Sequence, residues 1–499
     1  MTASHFCDDF VSGMGAQVVQ NRGSTTGHRI AIFASSKRPM TRTAIAVPRM
    51  EAPGQVEDRE AKQPGAWFSI LPRASGARLL RGVLWGTLSG AAAQGGSFLT
   101  SVLLARIFGR HVYGQFAWIQ STAGVLTCVA GLGLGVTATK FVSKQRVTDP
   151  ARVGRILSLS SLVAIAAALC FSLGLIVCAP SLAVGGEATA VLTVGLRLSA
   201  VYVFFLILNG YQSGALIGFE AFPSIARINI TYALTSLLLS GALAVGLGLS
   251  GTVLAQGASA LLLWFLCQRA LTAQCNAANI PISYRGAWRE RSVVLRFSVP
   301  AAASGVLASV AMWWCNATLV RVGDYSELAL FTVANNLRSM VLFLPALILR
   351  VAAPLVNNLL ASGDWPGYHR TFWGTVAING GIALFLATVL SLAGQHVLRL
   401  FGKEFAGSTA VVLLLLGSVV VEVVATSLYQ AIFTAGRLWR HFAIMSIWMV
   451  VLLTSSHLTA RRYGAAGLAF SYLAAWSVAL ALYAWVAPRR EAASQEWRC

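Results

Sequence analysis

Three charged side chains lie deep inside apolar stretches, where a charge needs a reason to be. Arg197, Arg338 and Glu422 each sit several residues from either end of the run that holds them. At about 1.5 Å of helix per residue, that is too deep for easy snorkelling to water. A charge at such depth costs on the order of a few kcal/mol unless it meets a partner or a water-filled cavity. Ser418, Glu422, Thr426 and Gln430 recur every four residues and form one polar stripe, and Asn335, Arg338 and Ser339 share a helix face. Arg197 has mostly apolar neighbours on its face. Two chemistries fit. Glu422 can pair with one of the arginines as a tie between helices. Alternatively, the side chains line a cationic cavity, where an arginine fork binds phosphate oxygens bidentately and keeps its charge. On the cavity reading, Arg197, Arg338, Glu422, Asn335, Ser339, Thr426 and Gln430 are candidate substrate-binding residues. Arg106 and Arg321, at the ends of their runs, are candidate gate residues or interface anchors.

Nothing else in the chain suggests bond-making chemistry. The eight cysteines form no CxxC pair and mostly lie inside apolar runs, as small buried hydrophobes do. The only Asp-Asp pair, Asp8 and Asp9, falls in the polar N-terminal region. No metal-ligand cluster and no nucleophile with a plausible base is visible, so no catalytic residue, metal or cofactor is expected and the chain reads as a non-enzyme.

The elements that hold these residues follow from composition. Of the 499 residues 56% are hydrophobic and 11% charged, against about 25% charged in ordinary soluble proteins. A soluble core cannot absorb that much apolar surface, so lipid is the expected solvent. Twelve apolar runs, each near the roughly 20 residues that cross a bilayer core, lie near 82–107, 112–138, 156–178, 189–211, 224–247, 250–270, 297–320, 328–350, 371–395, 409–431, 438–460 and 464–487. They lack the alternation of barrel strands. The expected fold class is therefore all-α, a polytopic membrane protein of about 12 transmembrane helices.

The net charge of +21 suggests nucleic acid at first. The Lys and Arg, however, sit between apolar runs and not on one compact domain, so membrane orientation explains them and no nucleic-acid partner is expected. Five fall from Lys140 to Arg155 and five from Arg269 to Arg296, while the intervening connections on the other side carry at most two each. Positive loops stay inside, which places both termini on the cytoplasmic side of the membrane. The expected organisation is a polar cytoplasmic tail over 1–78, a six-helix half over 79–271, a cytoplasmic connection over 272–296, a second six-helix half over 297–488 and a cytoplasmic tail over 489–499.

The halves echo each other. Leu104, Ala105 and Arg106 near the end of the first run match Leu319, Val320 and Arg321 near the end of the seventh, 215 residues on. Tyr211, Gln212 and Gly218 match Tyr429, Gln430 and Gly436 at 218, and Gly251 matches Gly467 at 216. Six helices per half make this a parallel repeat, with a central cavity between the halves and alternating access by rocking.

Leu103, Leu104, Ala105, Arg106, Ile107, Phe108 and Gly109, followed by Tyr113, Gly114, Gln115 and Phe116, resemble the first-helix signature of Wzx-type oligosaccharide flippases. These belong to the multidrug/oligosaccharidyl-lipid/polysaccharide exporter superfamily. Asn209 through Phe219 resembles the family's fourth-helix exit, and Pro345 through Pro354 with Gly363 and Asp364 its eighth-to-ninth helix passage. The resemblance covers roughly residues 79 to 488. It implies a flippase that carries an undecaprenyl-pyrophosphate-linked oligosaccharide (an O-antigen or exopolysaccharide repeat unit) from the cytoplasmic to the periplasmic leaflet through a cavity bearing basic residues. The implied partners are that lipid-linked oligosaccharide and membrane lipids; proton or sodium coupling and a polysaccharide polymerase partner stay open. The alternative is a multidrug/cation antiporter of the same superfamily, which relies on membrane carboxylates, whereas only Glu422 lies at depth here. A polymerase needs a sizeable outer loop, and the longest, near 396–408, has about a dozen residues.

Overall fold

Apolar runs in lipid must satisfy every backbone N–H and C=O internally, which leaves helices as the economical form. The computed structural model describes residues 73–183, 189–293, 298–434 and 438–486, and among them no strand occurs. The main helices are α1 (Arg73–Ala130), α2 (Leu134–Gln145), α3 (Pro150–Leu182), α4 (Thr189–Gly218), α5 (Phe222–Ala277), α6 (Val299–Gly323), α7 (Tyr325–Ala361), α8 (Trp365–Leu392), α9 (Gly394–Phe401), α10 (Thr409–Thr434) and α11 (Leu438–Val486). All but α2 and α9 are long and apolar enough to cross a membrane, nine helices among the described residues.

Three of the nine are broken once. Gly109 (φ 69°, ψ 179°) interrupts α1, Gly248 (φ 60°, ψ −142°) interrupts α5 and Gly464 (φ 54°, ψ −130°) interrupts α11. A side chain at such φ and ψ is strained, so glycine marks where the chain turns back. Dividing the three helices there gives twelve segments, the number of apolar runs in the sequence. α2 continues the second segment beyond a turn at Leu132 (φ 45°) and Gly133 (φ 68°).

The breaks carry the internal echo into the backbone. Gly248 and Gly464 are 216 residues apart with nearly the same dihedrals. Three residues after each, Gly251 and Gly467 lie directly under the carbonyl oxygens of Leu243 and Thr459, again 216 apart. Asp324 (φ 88°, ψ 163°) turns the chain between α6 and α7, 215 residues after Gly109 does so in α1.

α1 to α5 pack mainly on one another and α6 to α11 mainly on one another, while α1 makes the principal contacts between the two sets through α6, α7 and α9. Close approach inside the first set depends on missing side chains: a Cβ on Gly214 would meet the backbone of Gly135. Local starts are set by polar caps. The Asp149 carboxylate accepts the Arg152 N–H at 2.9 Å ahead of Pro150, and Asp364 accepts the Gly367 N–H at 2.9 Å.

Several expected boundaries move. Helix α1 begins at Arg73, so the last residues assigned to the polar tail are helical; residues 1–72 and 487–499, which hold the rest of both tails, lie outside the described residues. The connection near 396–408 is not a plain loop. It folds as α9 and a 3-10 turn (Lys403–Phe405), and its buried Phe401 and Phe405 meet Phe98 at 5.6 Å and Tyr113 at 6.3 Å. At the other end of the helices, α5 runs on to Ala277, and Glu290 of the following connection takes Arg152 at 3.2 Å and Arg155 at 3.5 Å. That connection is thereby fastened to α3.

Candidate functional site

A cavity of about 450 Å³ lies between the two sets of helices. One wall comes from α1, α4 and α5, with Ser97, Thr100, Ser101, Tyr113, Gln120, Ser121, Tyr202, Tyr232, Ser236 and Gln256. The other comes from α6 and α7, with Met312, Asn316, Phe331, Thr332, Asn335 and Asn336. Hydroxyls, amides and aromatic rings dominate, and among the described residues no Lys, Arg, Asp or Glu lines it.

Hydrogen bonds already cross between the walls. The Asn336 amide donates to Ser101 Oγ at 2.6 Å, and the Asn316 amide donates to Ser121 Oγ at 2.8 Å. Ser101 is also hydrogen-bonded to the Tyr113 hydroxyl. Asn316 Oδ1 is buried without a hydrogen-bond partner among the described residues. The lining as a whole presents paired donors and acceptors with flat apolar faces beside them.

The midplane charges are placed differently from the cationic-cavity expectation. Arg338 pairs with Glu422, its Nη1 donates to Asn335 Oδ1 at 3.1 Å, and its guanidinium lies over the Tyr472 ring at 5.2 Å. Only 11% of the Arg338 side chain and 12% of Glu422 is exposed. The pair is thus an interhelical tie between α7 and α10, and its contribution to the cavity is to hold the Asn335 amide. Ser339 donates to the Asn335 carbonyl and Thr426 to the Glu422 carbonyl, each within its own helix. Gln430 is half-buried and, like Ser339 and Thr426, lies outside the cavity lining.

Arg197 is exposed, on the same face as exposed Val191, Val194 and Val201, with Leu196, Ser199 and Ala200 buried opposite. It does not line the cavity. The reason is helix rotation. α4 buries the face that carries Leu192, Leu196, Ser199 and Ala200, which leaves Arg197 on the opposite face.

The end of the bundle that carries Arg106 holds a charged clasp that the sequence pattern did not single out. Arg110 Nη2 pairs with Glu327 at 2.8 Å, its Nε donates to the Ser326 carbonyl at 3.0 Å, and its backbone N–H donates to Glu404 at 2.8 Å. Glu327 in turn accepts the Ala465 N–H at 2.8 Å, capping the helix that restarts after Gly464. His111 approaches Asp324 at 3.3 Å, and Arg106 Nε donates to the Leu400 carbonyl at 2.6 Å. All of these join the first set of helices to the second, Glu327's bond to Ala465 excepted. Arg106 thus lies among these contacts, while its counterpart Arg321 is exposed and borders a separate cavity. The remaining ion pairs among the described residues, Arg146–Glu220 and Arg152/Arg155–Glu290, are not part of this clasp. The signal was present in the scarcity of acids: Asp324, Glu327 and Glu404 all fall at the ends of runs on the same side as Arg106, Arg110 and His111. Among the described residues no three His, Cys, Asp or Glu side chains converge in a way that could hold a metal ion.

A family model described as polysaccharide biosynthesis protein matches residues 79–359. The curated relative named EPS I polysaccharide export inner membrane protein EpsE, from Ralstonia nicotianae, is 25% identical over 427 residues, covering 81% of this chain and 93% of its own. The protein of the same name from Ralstonia solanacearum is 25% identical over 421 residues with the same coverage. Among solved structures, the inward-facing conformation of a multidrug resistance MATE family transporter of the MOP superfamily superposes with a TM-score of 0.67 at 15% identity, over 79% of this chain and 93% of that one. With more than half of its length matched and this fold around its central cavity, the chain belongs to the polysaccharide biosynthesis protein family, as a polytopic membrane protein built like the MOP superfamily transporters.

Proposed function

We propose that the protein moves an undecaprenyl-pyrophosphate-linked oligosaccharide from the cytoplasmic to the periplasmic leaflet of the inner membrane, for exopolysaccharide or O-antigen synthesis. The observation that carries this reading is the neutral lining of the central cavity. Sugar hydroxyls are donors and acceptors at once, and amides such as Asn316, Asn335 and Asn336 together with the half-buried rings of Tyr202 and Tyr232 offer both hydrogen bonds and apolar faces to a sugar ring. A cation antiporter needs a carboxylate open to its cargo, whereas the Glu422 carboxylate is committed to Arg338. The relatives named as polysaccharide export inner membrane proteins support the same cargo class.

On this reading the two helix sets rock about the cavity, and the Arg110 clasp closes its periplasmic end. Loss of the protein is expected to abolish surface polysaccharide while lipid-linked repeat units build up on the cytoplasmic side, measured by extracting and separating the lipid-linked pool. Normal polysaccharide together with altered dye or drug resistance would favour the antiporter instead.

The orientation gives a second expected result. Both termini and the connection near 270–292 face the cytoplasm, and 396–408 faces the periplasm. Reporter enzymes fused after Tyr284 and after Gly402 test it: a reporter active only in the periplasm is expected to work at Gly402 and stay silent at Tyr284. The reverse pattern overturns the assignment.

A further inference from the structure

A second cavity, of about 220 Å³, opens between α6 and the part of α11 before Gly464, and Trp313, Trp314, Thr318, Arg321, His457 and Arg461 border it. No acidic residue lines it. Arg321, His457 and Arg461 have no ion-pair partner among the described residues, whereas Arg110 and His111 nearby each face a carboxylate. Arg321 alone could be ascribed to the favourable end of the α6 dipole. Two arginines and a histidine converging on one cavity go beyond that.

The groove is placed between the central cavity and the lipid. Met312 and Asn316 of α6 face the central cavity, and Trp313, Trp314 and Arg321 of the same helix face the groove. Trp313 forms the partition: it stacks on Trp118 at 5.6 Å and donates to Thr122 Oγ1 at 3.2 Å. On the outer side Trp314, Val322 and Leu458 are exposed, an apolar surface continuous with the bilayer.

Resting on the flippase reading above, we infer that this groove receives the pyrophosphate of the lipid-linked substrate at the periplasmic side, with the prenyl chain lying in lipid against Trp314, Val322 and Leu458. The charge match favours that headgroup. A pyrophosphate diester carries two negative charges, which two permanently charged guanidinium forks can bind bidentately with His457 as a further donor. An ordinary glycerophospholipid such as phosphatidylglycerol carries one.

The test uses the full-length protein in nanodiscs of phosphatidylcholine, with undecaprenyl pyrophosphate and phosphatidylglycerol as separate probes and bound lipid read by native mass spectrometry. Arg321→Gln with Arg461→Gln is expected to weaken undecaprenyl pyrophosphate binding by roughly tenfold per arginine and leave phosphatidylglycerol binding unchanged. The paired lysine substitutions are expected to recover part of the loss. Both arginines are exposed and lack protein partners, so folding is expected to survive, with thermal melting as the check. Equal binding by wild type and the double glutamine variant overturns the groove and leaves the flippase reading standing. Equal loss of both probes makes the groove a general lipid contact and overturns the pyrophosphate assignment. Absence of undecaprenyl pyrophosphate binding to the wild type overturns the substrate reading and this inference with it.

Discussion

Arg338→Ala is expected to leave little folded protein in the membrane, whereas Arg338→Met combined with Glu422→Leu is expected to restore near-normal levels. Arg338 and Glu422 are almost fully enclosed between α7 and α10, with Tyr472 under the guanidinium. Removing one member strands the other in a low-dielectric site, which costs about 3–5 kcal/mol in comparable buried pairs. Stabilities of about 5–15 kcal/mol are typical, so such a loss is severe. Replacing both by apolar groups of similar volume removes the stranded charge together with its partner, an exchange that is often neutral. Membrane levels by blot and melting in detergent measure the outcome. A singly substituted protein that is stable but unable to export would return the pair to the binding site and sink the tie.

The second large effect is expected at the clasp. Arg110→Ala removes the side-chain bonds to Glu327 and the Ser326 carbonyl, and leaves Glu327 with the Ala465 N–H as its remaining partner. A charge-assisted bond of this kind contributes about 1.5–3 kcal/mol when shielded. With Arg110 and Glu327 each about a quarter exposed, solvent screening lowers that to about 1 kcal/mol. The population open at the periplasmic end is therefore expected to rise several-fold to about tenfold. Ser97→Cys, in a background without the native cysteines, reports it through labelling by a membrane-impermeant thiol reagent added from outside. Export is expected to fall as well, because a carrier that no longer holds its outer end closed cannot alternate. Labelling unchanged by Arg110→Ala would remove the clasp from the mechanism.

How far the sequence carries can be judged from particular residues. The twelve segments were legible because lipid imposes length, and Gly109, Gly248 and Gly464 mark turns that only glycine makes without strain. The echo at 215–216 residues was legible for the same reason, since backbone demands recur with the repeat. The rotation of each helix was not. Arg197 faced outward because α4 packs through Leu192, Leu196, Ser199 and Ala200, a choice of face that a run apolar all round does not reveal. Arg338 turned to Glu422, and that choice depends on how α7 packs against α10 rather than on spacing within either helix. The lining of the expected cavity was invisible because Ser97, Ser101, Ser121 and Asn336 are small or neutral polar residues, the types that also mediate ordinary helix packing in membranes.

The absence of fixed charge from the central cavity has a consequence for discrimination. Salt screens interactions between ions, and a lining of Asn, Gln, Ser and Tyr offers it nothing to screen, so on the proposed flippase reading the hold on an uncharged sugar is expected to be insensitive to ionic strength. Selection between cargoes then rests on stereochemistry. An epimer that turns one hydroxyl away from the cavity's amides leaves a shielded donor or acceptor unsatisfied, and mismatches of that kind are what hydrogen-bonding sites reject most strongly.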